Sequence, residues 1–110
     1  MSTNQILEKK ILHLINQFNS KNYDSVITQA KEIINSNSNN PVIYNLLGAS
    51  YSLVNNHLLA ITAYQNAHKL DSNNEEILRN MGKSYSWLEE DEKAYELVFL
   101  LFLLDRLLIL

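Results

Sequence analysis

Apolar residues recur along this chain at the three- and four-residue intervals of an α-helix, and short polar runs interrupt them at regular places. Ile11, Leu14, Ile15 and Phe18 form a first stripe, with Lys9, Lys10, Asn16 and Gln17 between them. This predicts an amphipathic helix over about residues 4–19. After the polar turn Asn19-Ser20-Lys21-Asn22, a second stripe follows in Tyr23, Val26, Ile27, Ala30, Ile33 and Ile34. The two helices pair as a hairpin. The run NSNSNN (35–40) has the composition of a linker. Asn and Ser favour caps and left-handed turns, however, and Pro41 suits the first turn of a helix, so a turn between two hairpins is expected there. Tyr44, Leu47 and Tyr51 then share one helical face, Asn55-Asn56 breaks the chain, and Ala60, Ile61, Tyr64 and Ala67 line the next helix. Gly48, like Ala60 and Ala67, removes bulk where a neighbouring helix comes close. A third copy follows the turn Asp71-Ser72-Asn73-Asn74, in Leu78, Met81, Gly82 and Tyr85, then Ala94 and Val98.

The copies are offset by 34 residues. Within 41–74, Tyr44, Leu47, Gly48 and Tyr51, then Ala60, Tyr64 and Ala67, closed by Leu70 to Asn74, have a spacing that closely resembles the tetratricopeptide repeat. The resemblance is strong over 41–94, moderate over 23–40 and weak over 7–20. In that weak stretch Leu14 or Ile15 stands where the family has Gly, and the following turn is read as one residue short. The resemblance implies an all-α, TPR-like α-solenoid of three antiparallel helical hairpins in a right-handed superhelix. It makes residues 1–110 a single domain with repeats of about 7–40, 41–74 and 75–108.

Composition narrows the function. The net charge of −3 gives no clustered basic footprint, which argues against nucleic acid. With no cysteine there is neither a thiolate nucleophile nor a disulfide framework. Glu8, Lys9, Lys10 and His13 interrupt the N-terminal apolar pattern, so it does not read as a signal peptide, and a cytoplasmic protein is the expectation. No arrangement of catalytic groups stands out, so no enzyme, cofactor or metal site is expected. His13, His57 and His68 are scattered, the last two read as partly exposed surface histidines, and no HExxH accompanies them. The acidic runs Glu89-Glu90-Asp91-Glu92 and Glu75-Glu76 read as charges that complement helix N-termini. Gly48 and Gly82 each sit alone and form no phosphate loop.

The resemblance places a partner's peptide or helix in a concave groove made by the first helix of each hairpin. The inward positions would be Val42, Asn45, Ala49, Ser52 and Leu53, then Glu76, Arg79, Lys83, Ser86 and Trp87, with Asn80 beside them. Asn45 and Asn80 have the chemistry to hold a peptide backbone, and Arg79 and Lys83, one turn apart, to meet a carboxylate. The carboxylate clamp of chaperone-binding relatives is not reproduced, because Leu46 and Asn80 replace its Asn and Arg, although Asn16 matches one clamp position. The expected function is therefore a protein-interaction scaffold. An alternative is the N-terminal segment of a larger bacterial glycosyltransferase- or sulfotransferase-like enzyme.

Residues 97–110 break the pattern, since LVFLLFLLDRLLIL is apolar all round. Asp105 and Arg106 make a membrane span unlike it, and no basic cluster flanks it for membrane attachment. An exposed apolar helix points instead to self-association through Leu97, Phe99, Leu100, Phe102 and Leu103.

Overall fold

The computed structural model describes residues 2–36 and 39–89, together with positions 96, 99, 100, 103, 104, 106 and 107. Among these the chain is all-helical. The helices are α1 (Thr3–Asn19), α2 (Tyr23–Asn35), α3 (Pro41–Leu53), α4 (His57–Leu70) and α5 (Glu75–Glu89). Local sequence explains their starts. Ser2 and Gln5 form a reciprocal capping box on α1. Pro41 opens α3, and the Asn40 side chain accepts from the Val42 N–H at 2.8 Å. Asn56 caps α4 through the Leu59 N–H at 3.3 Å, and Asn74 accepts from the Ile77 N–H at 3.2 Å at the head of α5. Asn40, Asn56 and Asn74 are thus helix caps, each typically contributing about 1 kcal/mol, whereas Asn22 before α2 makes no side-chain cap bond.

The turn of the first hairpin is not one residue short. Ser20, Lys21 and Asn22 connect α1 to α2, and Val54, Asn55 and Asn56 connect α3 to α4. The backbone hydrogen bonds agree one for one at an offset of 34. Ser20 N–H donates to Asn16 O at 3.0 Å as Val54 does to Ser50 O at 3.2 Å. Asn22 N–H donates to Gln17 O at 3.0 Å as Asn56 does to Tyr51 O at 2.8 Å. Lys21 and Asn55 both lie in the left-handed region, at φ 64° and 65°. Asn tolerates that conformation, and a lysine adopts it at a cost of roughly 1–2 kcal/mol. The unfavourable lysine is what hides the length of this turn from a reading by residue type.

Packing follows the same period. Ile43 and Leu47 of α3 join Val26, Ala30 and Ile33 of α2 in one core cluster, together with Leu14 and Ala63. Ile77 and Met81 of α5 join Ala60, Tyr64 and Ala67 of α4 in a second. Each sequential pair of helices is in contact and α3 also touches α1 and α5, whereas the backbones of α2 and α4 stay further apart, although Ala63 of α4 reaches the α2–α3 cluster. Successive odd-numbered helices therefore lie closer to one another than α2 and α4 do.

Gly48 behaves as its position predicts. A Cβ there would lie 2.6 Å from the ring of Tyr64, so the glycine is the space the ring occupies. In the first hairpin the sizes are exchanged, because Leu14 stands at the position of Gly48 and Ala30 at that of Tyr64, and both are fully buried. The large and small partners have swapped helices. At Gly82 an added Cβ would meet nothing within 4 Å among the described residues. Its counterpart across the hairpin, Val98, lies outside the described residues, as does Ala94.

Candidate functional site

The predicted groove residues fall on α3 and α5, and the fold brings several of them together. Asn45 and Asn80 are both half-buried, and the Asn80 Nδ2 amide donates to Asn45 Oδ1 at 3.2 Å across the α3–α5 contact. Each amide spends one group on the other. What remains is the NH₂ of Asn45 as donor and the carbonyl oxygen of Asn80 as acceptor, side by side, the pair that a peptide unit needs.

Ser52 and Trp87 meet through a residue that the groove assignment left out. The Ser52 hydroxyl lies 3.3 Å from Nδ1 of His57, the first residue of α4, and the His57 ring stacks on the Trp87 indole at a centroid distance of 5.5 Å and an angle of 6°. His57 is half-buried, whereas Trp87 remains 59% exposed. The histidine fixes one face of the indole and leaves the other to solvent, so Trp87 is a rigid aromatic platform rather than a loose side chain. Sequence reasoning set His57 aside as a surface residue because Trp87 is thirty positions away. Only the packing of α4 on α5 joins them.

The other groove residues divide. Arg79, Lys83 and Ser86 are exposed on α5, with the two cations one turn apart. Ala49 is half-buried and packs against the α4–α5 cluster, alongside Tyr44, Tyr51 and Tyr85. Glu76, in the first turn of α5, reaches the core electrostatically: burial raises the Tyr64 phenol above its ordinary value of 10.0, and the Glu76 charge adds in the same direction. Glu75 and Glu76 occupy the helix start as expected, and Glu89 ends the described part of α5. Glu90, Asp91 and Glu92 lie outside the described residues.

Clefts also lie elsewhere, and two of them are formed between helices. The larger, of about 590 Å³, separates α1 from α2 and is lined by Lys9, Lys10, His13, Gln29, Glu32, Ile33 and Ser36. The smaller, of about 270 Å³, is formed by α2, α3 and α4, with Tyr44, Leu47, Tyr51, Leu59 and Ala63 in its lining and Lys31 and Asn66 among its polar residues. None of the predicted groove residues lines either cleft. The apolar lining of the smaller cleft has the same helical spacing as ordinary core, which is why periodicity does not single it out. Buried Ser50 and Ser84, 34 residues apart, and Nδ1 of His68 have no hydrogen-bond partner among the described residues.

Of the predicted self-association residues, Phe99, Leu100 and Leu103 are helical and exposed, while Leu97 and Phe102 lie outside the described residues. Leu104 and Leu107 belong to the same exposed set. Among the described residues no three His, Asp or Glu side chains gather as a metal site, and no helix is long and apolar enough to cross a membrane. No family model matches the chain, and no curated protein matches it.

Proposed function

We propose that this protein is a TPR-like interaction scaffold that holds an extended peptide of a partner along α3 and α5 and associates with itself through its C-terminal apolar helix. The observation that carries the groove reading is the Asn80–Asn45 amide pair at 3.2 Å. It presents one donor and one acceptor at fixed separation on a half-buried surface, and main-chain groups of any sequence satisfy both. Arg79 and Lys83 supply preference for acidic residues or a terminal carboxylate, and the Trp87 platform, braced by His57, takes an apolar side chain. The hairpin period and the sequential packing of the helices support the solenoid, in which the closely spaced odd-numbered helices make the inner wall.

The test uses a ten-residue Asp- and Glu-rich peptide with a free C-terminus, followed by the fluorescence of Trp87, the chain's single tryptophan. Arg79→Glu with Lys83→Glu is expected to weaken binding about tenfold, or about 1.4 kcal/mol, without altering the helical melt. Asn45→Ala with Asn80→Ala is expected to weaken acidic and neutral peptides alike. Binding that neither pair changes removes this surface as the groove.

A further inference from the structure

The 34-residue period makes the two ends of the molecule comparable. Where α3 buries Ile43 and Leu47 against α2, and α5 buries Ile77 and Met81 against α4, α1 carries Lys9 and His13, both exposed. Lys10 and Glu32 flank them around the cleft between α1 and α2. A helix stacked here in the manner of α2 on α3 would desolvate lysine ammonium groups against an apolar face. Leu12 is exposed beside them, yet these polar groups oppose the stacking of another copy of this chain here.

The other end is the opposite. Phe99, Leu100, Leu103, Leu104 and Leu107 are helical and 40–65% exposed. Their spacing places them on one stripe, and Leu100, Leu103 and Leu107 follow the alternating three- and four-residue steps of a coiled-coil seam. The stripe is also close to palindromic. A two-fold axis midway between positions 100 and 103 sets Leu100 on Leu103 and Phe99 on Leu104 of a second copy, and it brings Glu96 of each copy to the Arg106–Leu107 end of the other. Parallel pairing would instead place Glu96 on Glu96 and Arg106 on Arg106, which like charges oppose.

We infer that the protein forms a closed, two-fold dimer in which this stripe packs antiparallel on the same stripe of a second copy. The inference deepens the self-association part of the function proposed above and is independent of the groove. Because the α1 end opposes the stacking of another copy, head-to-tail growth is disfavoured, and an isologous contact closes at two copies. Two grooves are then carried on one assembly, so a partner with two peptide segments gains avidity without any new contact.

Light scattering of the full chain over a wide concentration range is expected to give twice the 12.7 kDa chain mass. A monomer at every concentration, or a mass that keeps rising past two copies, overturns the inference. Leu100→Glu with Leu103→Glu is expected to yield a monomer with unchanged melting of α1–α5, and persistence of the dimer overturns it too. Orientation is read from full chains carrying Phe99→Cys or Leu104→Cys, clean probes because the natural chain has no cysteine. After mixing and mild oxidation, disulfides between position 99 and position 104 should predominate, whereas a majority of 99–99 and 104–104 links contradicts the antiparallel seam. The peptide assay on the same samples keeps the two readings apart, because a dimer that binds no peptide counts against the groove alone and a monomer that binds it counts against the dimer alone.

Discussion

The first and second hairpins share a backbone and differ in how they fill it. Their turns match bond for bond, yet Leu14 and Ala30 in one stand where Gly48 and Tyr64 stand in the other. A close-packed interface constrains summed volume and complementary shape more than it constrains which helix carries the bulk. Their outer faces differ as well. The second hairpin meets its predecessor with Ile43 and Leu47, while the first offers Lys9 and His13 at those positions. One backbone unit thus carries an apolar or a polar outer face according to the side chains at these few positions.

The largest effect that sharpens this comparison is expected at Leu14. Truncation to Ala empties a fully buried site beside Ala30, which cannot fill it, and should cost about 2–5 kcal/mol by urea denaturation. If the size exchange is the right account, Ala30→Tyr added to Leu14→Ala restores part of that loss. A double variant no better than Leu14→Ala breaks the comparison.

The two glycines come next, because they occupy equivalent positions and are expected to respond with opposite sign. Gly48→Ala drives a methyl into the Tyr64 ring and should cost about 1–3 kcal/mol even after the gain in helix propensity. Gly82→Ala meets nothing within 4 Å among the described residues and should stabilise the protein by up to about 1 kcal/mol. Equal responses in thermal melts would mean that the glycine serves the helix and not the neighbouring ring.

The smallest effect at neutral pH, and one absent from the first hairpin, belongs to Tyr64. Its phenol is held neutral above its ordinary value of 10.0, by burial first and the Glu76 charge second. Below pH 10 the folded and unfolded chains are equally protonated at this group, and its contribution is fully present. As pH rises past 10 the unfolded chain loses the proton first, so stability falls until the folded phenol ionises as well. Tyr64→Phe should flatten that alkaline decline in denaturation measured between pH 9 and about 11.5. An unchanged slope would assign it to the other tyrosines.

The hydrophobic period and the asparagine runs were enough to determine the helices and their caps, because helical spacing, Pro41 and asparagine caps act within a few residues of where they stand. Gly48 was legible for the same reason, as a missing side chain on an otherwise bulky face. The first turn was legible as a turn but not as the equal of the second in length, because Lys21 holds there a left-handed conformation that its own chemistry disfavours. The site divides in the same way. The groove positions proposed on α3 and α5 follow from the resemblance to the tetratricopeptide repeat, and the exposure of Arg79 and Lys83 follows from helical spacing. The bond between Asn45 and Asn80, the bracing of Trp87 by His57 and the packing of half-buried Ala49 against the α4–α5 cluster join residues from different helices. They depend on the angle and separation at which those helices pack, a property of the summed side-chain volumes between them that no single helix encodes.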